Sequence, residues 1–183
     1  MACNITAGRA VPCKDVVGGI KAIYFANYGD VGVATTGSSD EVTDFDTDFT
    51  AYKYDVKGNS SLEQAITSSR DNGTTFFEQT LNLTLTKLSK EDHKEIKLLA
   101  YGRPHVFVQD YNDNCFAVGL EHGADVEGGS IVTGAAMGDL SGYTLTLVAR
   151  EVLPANFLEG ATAADPFDGL TTSTVTITSG SNS

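Results

Sequence analysis

The clearest pattern along the chain is Thr80-Leu81-Asn82-Leu83-Thr84-Leu85-Thr86, a strict alternation of polar and apolar residues. A strand of period two puts Leu81, Leu83 and Leu85 on a covered face and the polar residues on the other. The alternation predicts a strand over 74–87. Leu62, Gln64 and Ile66 alternate with Glu63, Ala65 and Thr67 just before it, and Asp71-Asn72-Gly73 supplies the hairpin turn between the two runs. Ser89 is placed to cap a helix over about 90–101, which Gly102 and Pro104 stop. In that helix Ile96, Leu99 and Ala100 share one face, and Lys90, Glu91, Lys94 and Lys97 suit solvent.

Residues 104–109 and 115–120 read as a second hairpin around Asp110-Tyr111-Asn112-Asp113-Asn114, and 142–151 alternates again. Strands are also expected at 20–25, 49–56, 131–136 and 172–178, with Gly128, Gly129 and Gly134 in a connecting loop. The sum is a mainly β chain, a β-barrel or sandwich of about 8–10 strands flanked by one α-helix. Its organisation reads as an N-terminal arm over 1–19, a β domain over 20–158 with a long connection at 27–48, and a Thr/Ser-rich arm or peripheral strand over 159–183.

Charge changes this picture in one region. The chain of 183 residues has a net charge of −12. Much of it comes from Asp30, Asp40, Glu41, Asp44, Asp46 and Asp48, in a connection without Lys or Arg. A solvated acidic loop is the simplest reading. Such a balance disfavours tight nucleic-acid binding, which needs basic patches to neutralise phosphates. No apolar run spans a bilayer, since Lys21 interrupts the longest one near the N-terminus. Met1-Ala2-Cys3-Asn4-Ile5-Thr6 lacks the charged start and apolar run of a signal peptide, so folding in a cytoplasm is expected. The sequons at Asn4, Asn59, Asn72 and Asn82 then read as chance, and Cys3, Cys13 and Cys115 as free thiols, with a Cys3–Cys13 disulfide as the alternative.

Candidate chemistry is sparse, and no catalytic residue or cofactor is assigned. Asp110, Asn112, Asn114 and Glu121 fall on calcium-loop positions, but Cys115 stands where the loop requires Gly and no helices flank it. Asp44, Asp46 and Asp48 would project from one face of an extended strand, a weak cation site at most. Gly138-Asp139-Leu140-Ser141-Gly142 has the wrong spacing for a nucleophile elbow. His93, His105 and His122 have no partner at ligand spacing along the chain and read as ordinary surface or core residues.

The order of the 74–87 strand, the 88–101 helix, Val106-Phe107-Val108-Gln109-Asp110, the Asn-Asp-Asn turn, Phe116-Ala117-Val118-Gly119 and Gly142-Tyr143-Thr144-Leu145-Thr146-Leu147 resembles tail tube proteins of long-tailed bacteriophages. Asp110, Asn114 and Gly119 in strand–turn–strand order, and the run from Gly138 to Glu151, carry most of the resemblance, which covers about half of the chain. It implies a non-enzymatic virion protein, assembled in the host cytoplasm, whose copies form hexameric rings that stack into a hollow tube. It also implies partners in other tail proteins and in DNA that passes through the lumen without tight binding. The 1–19 segment and the 27–48 connection are then the natural contacts between rings. Other β-barrel ring formers (a tail terminator, a capsid decoration protein, a secretion-system tube) and a β-sandwich module binding carbohydrate or a cation remain as alternatives, with an enzyme third.

Overall fold

The computed structural model describes residues 5, 7–11, 13–56 and 58–180. Twelve strands and one helix follow in the order β1 (Ile20–Ala26), β2 (Ala34–Thr36), β3 (Val42–Phe45), β4 (Phe49–Asp55), β5 (Ser61–Ser69), β6 (Thr74–Thr86), α1 (Lys90–Tyr101), β7 (His105–Asp110), β8 (Cys115–Val118), β9 (Asp125–Val132), β10 (Gly142–Glu151), β11 (Asn156–Phe157) and β12 (Val175–Ser179). The fold is mainly β with one flanking helix, as the alternation predicts.

A six-stranded sheet, β11-β8-β7-β1-β4-β12, forms the middle layer, and a four-stranded sheet, β5-β6-β10-β9, packs on one side of it. Neighbouring strands run antiparallel except β12, which pairs parallel with β4. Ile23 and Phe25 of β1 and Val106 and Val108 of β7 meet Leu81, Leu83, Leu145 and Leu147 from the four-stranded sheet in one core. Both stripes are the period-two faces visible in the sequence. Ile96 of α1 closes this core, and Tyr143 Oη donates to the Ser89 carbonyl at 3.2 Å, fixing the start of the helix.

The opposite face of the middle sheet is covered too. Ala22, Tyr24, Ala51, Phe107 and Ala117 pack under Val31, Val42 and Phe45 from the 27–48 connection and under Leu158 and Phe167 from the C-terminal region. Phe107 stacks on Phe49 at 5.6 Å between ring centroids and meets Phe45 and Phe167 edge-on. β1 is therefore buried on both faces, which explains its almost unbroken apolar run. A bulge sets its phase: Ile20 pairs with Asp110 and Ala22 with Gln109, so the extra residue Lys21 lets Ile20 join the same core as Ile23.

Four details differ from the sequence reading. The strand expected at 131–136 lies at Asp125–Val132 and contains Gly128 and Gly129. A Cβ on Gly129 would sit 2.4 Å from the Thr144 carbonyl oxygen, so this glycine marks a close approach of strands and not a loop. Ala100 is exposed, and the buried face of α1 consists of Ile96 with half-buried Leu99. The terminal strand is Val175–Ser179, displaced from 172–178 because residues 172–174 bind aspartate side chains. The Cys3–Cys13 pairing lies outside the described residues. Among the described residues no helix is long and apolar enough to cross a membrane.

Candidate functional site

The three aspartates at 44, 46 and 48 do not form one carboxylate face. β3 ends at Phe45, and the bend that follows sends each side chain to a different partner. Asp44 accepts the backbone N–H groups of Thr172 and Ser173, each at 3.0 Å, and both hydroxyls. Asp46 accepts from Val33 N at 2.7 Å, and Asp48 from Thr174 N at 2.7 Å. The hydrogen bonds, that from the Thr172 hydroxyl foremost, hold the Asp44 carboxyl well below the usual range. Asp44 and Asp48 stitch the 27–48 connection to the C-terminal segment, and Asp46 braces the connection on itself.

Asp110 has a comparable role at the other end of the molecule. Its Oδ1 accepts from Asn112 N at 2.8 Å and Asn114 N at 2.9 Å, and its Oδ2 from the two asparagine amides at 3.2 and 3.0 Å. Burial alone would raise its pKa, but the Asn114 and Asn112 bonds outweigh it and lower the value. Asn112 also binds the backbone of Val17 twice, at 3.0 and 2.8 Å, so the exposed N-terminal segment is moored to this turn. Glu121 is not a neighbour in this cluster.

Glu121 belongs instead to a polar end of the sandwich. The inward stripe of β6 runs back from Leu83 and Leu81 to Gln79, and that of β10 runs forward from Leu147 and Ala149 to Glu151. Two polar residues in apolar register are thereby buried at one end, around a small cavity of about 20 Å³ that Ala117, Leu120, Glu121 and Asn156 help to line. A space of this size suits about one water.

Each buried group there has a defined partner. Gln79 Oε1 accepts from Gly119 N at 3.0 Å, and its amide donates to the Leu153 carbonyl at 3.2 Å. Gly119 itself has φ 66°, and a Cβ there would lie 2.6 Å from the Gly123 carbonyl carbon. His105 Nδ1 donates to the Gly119 carbonyl at 2.7 Å while Nε2 accepts from Gly29 N at 3.4 Å, which assigns the neutral tautomer. Burial pushes the His105 pKa down. Tyr28 stacks on the imidazole, and the Arg103 guanidinium lies 4.5 Å from the centre of the Tyr28 ring.

Glu151 is the buried charge of this end, with its side chain 4% exposed. Oε1 accepts from Glu121 N at 3.1 Å and His122 N at 2.8 Å, and Oε2 meets His122 Nδ1 at 2.7 Å. The Glu151 hydrogen bond raises the His122 pKa. The pair lies 29 residues apart in sequence, so spacing along the chain does not reveal it. The signal that does exist is phase: Gln79 and Glu151 continue apolar stripes.

No protein-family model, curated protein or solved structure matches this chain.

The outer face of the four-stranded sheet is polar and hydroxyl-rich. Thr146 Oγ1 donates to Asn82 Oδ1 at 3.0 Å, and Ser130 and Thr144 hydroxyls meet at 2.7 Å. Arg150 on this sheet is held by Glu78 at 2.9 Å and Glu127 at 2.6 Å. Among the described residues no strand pairs with the outer edge of β5 or of β9.

Proposed function

We propose that this chain is a self-assembling structural subunit, a tail tube protein of long-tailed bacteriophages, whose copies form hexameric rings that stack into a hollow tube for DNA passage. The carrying observation is the pair of long open edges, β5 with nine residues and β9 with eight, on opposite sides of one sheet. Unpaired strand edges invite pairing with another chain, and a head-to-tail contact between two different edges closes into a ring when its rotation allows.

The outer face of that sheet supports the same reading. Thr80, Asn82, Thr84, Thr144 and Thr146 offer hydroxyls and amides, while Arg150 is neutralised by two glutamates. A wall of this chemistry, in a chain of net charge −12, would not hold a phosphate backbone tightly and would let DNA slide. The N-terminal segment, tied to the subunit through Val17 and Asn112, would supply the contact to a neighbouring ring. The 27–48 connection is less available for that task, because Val31, Val42 and Phe45 are buried in the subunit.

Sedimentation velocity across a wide concentration range tests the reading. Species much larger than a monomer should grow with concentration, and a monomer at every concentration would count against it. A ring former that does not stack, such as a terminator or decoration protein, should stop at a single oligomer.

A further inference from the structure

We propose that Glu121, His122 and Glu151 form a binding site for one divalent zinc ion at the polar end of the sandwich. Among the described residues, this is the set whose His and carboxylate ligand atoms all lie within 4.8 Å of one another. The inference stands on these side chains alone and is independent of the assembly reading.

The donor set points to zinc over calcium or magnesium. One imidazole and two carboxylates match the nitrogen and oxygen ligands of zinc, with bonds of about 2.0–2.2 Å. Calcium would need six to eight oxygens, and magnesium a near-ideal octahedron of oxygens. With a neutral imidazole the set has a charge of about −2, which a divalent ion balances; a fourth position is left for water.

The protein also prepares one ligand. The backbone N–H groups of Glu121 and His122 grip Oε1 of Glu151, which turns Oε2 toward His122 Nδ1 at 2.7 Å. Hydrogen bonds of this kind hold a metal-binding carboxylate in one orientation. Separating that pair to about 3.4 Å, the ligand spacing of a tetrahedral ion with such bonds, requires a small rotation of the exposed imidazole. The proton between them moves to Nε2 or leaves to solvent. Glu121 is exposed and free to swing its carboxylate onto the ion.

Burial gives the arrangement its second support. The Glu151 side chain is 4% exposed, and its charge is met by the N–H groups of Glu121 and His122 and by the His122 imidazole, with no Lys or Arg among its described ion pairs. A zinc ion would take the place of the imidazole proton in that pairing from the solvent side, where Glu121 and His122 complete the shell.

The test is isothermal titration calorimetry with zinc chloride on the full chain in a Cys3→Ser, Cys13→Ser background, so that these two thiols do not contribute. One zinc per chain is expected, with affinity falling about tenfold or more in Glu121→Gln and in His122→Ala. Both positions are exposed, so each variant should keep the far-ultraviolet circular dichroism of the parent. Glu151→Gln could misfold, and the two exposed variants decide without it. X-ray absorption at the zinc edge should show nitrogen and oxygen donors with an imidazole and no sulfur. Absence of stoichiometric binding, binding unchanged in both variants, or a sulfur shell would overturn the proposal.

Discussion

The Asp44 carboxylate receives both the backbone N–H and the hydroxyl of Ser173, at 3.0 and 2.8 Å, across 129 residues of chain. This contact delivers the C-terminal segment to the edge of the middle sheet, where β12 starts two residues later. Asp44→Ala should therefore detach β12 while leaving the main core intact. Hydrogen exchange checks this: amides at 175–179 should exchange faster in the variant, with those of β6 and β10 unchanged.

The same carboxylates set an acid limit. Asp44 and Asp110 both titrate below the ordinary aspartate value of 3.8 in the folded state. Their contribution is fully present above that value and is lost as pH falls through the lower folded pKa. Asp110→Ala should cost about 1–3 kcal/mol at neutral pH, by leaving the N–H groups of Asn112 and Asn114 without their acceptor. Denaturant melts at pH 7 and pH 2.5 should show that penalty shrinking at the lower pH.

His105 acts at a higher pH. Its folded pKa is depressed from 6.5 by burial, so the unfolded chain binds the extra proton first and stability falls as pH drops below about 6.5. His122 has the opposite sign, because its folded pKa is raised and its contribution fades as pH climbs. The difference between wild type and His105→Gln isolates the first effect. Urea midpoints measured in chelator from pH 7 to pH 5 should fall less steeply in His105→Gln.

The second layer of core makes a different prediction. Phe45 is 2% exposed and packs against Phe49 and Phe107 at 5.4 and 5.9 Å. Phe45→Ala should cost about 3–5 kcal/mol, the usual loss for a buried aromatic. Deleting 30–46 should unfold the subunit instead of merely trimming a loop, whereas removing residues 1–16 should leave the melting temperature nearly unchanged. Thermal melts of the three variants decide this.

What could be read in advance follows from the range over which each signal acts. Leu81, Leu83, Tyr143 and Leu147 announce their strands because alternation is local, and Ser89 with Gly102 frames α1 at Lys90–Tyr101 for the same reason. Gly129 misleads, since a glycine needed for a close approach to Thr144 looks like one needed for a turn. Asp44 and Asp48 look solvated because their partners, Thr172 to Thr174, are more than a hundred residues away. The acids from Asp30 to Asp48 hide the burial of Val31, Val42 and Phe45 between them. Glu151 closes the alternating 142–151 run and His122 reads as an ordinary residue, because their meeting is a product of tertiary structure.

Negative-stain electron microscopy of the concentrated wild-type protein shows most directly whether the open edges β5 and β9 serve assembly. Rings of uniform diameter with a central hole, stacked into tubes, are the predicted result. A field of single compact particles at the highest attainable concentration would contradict it.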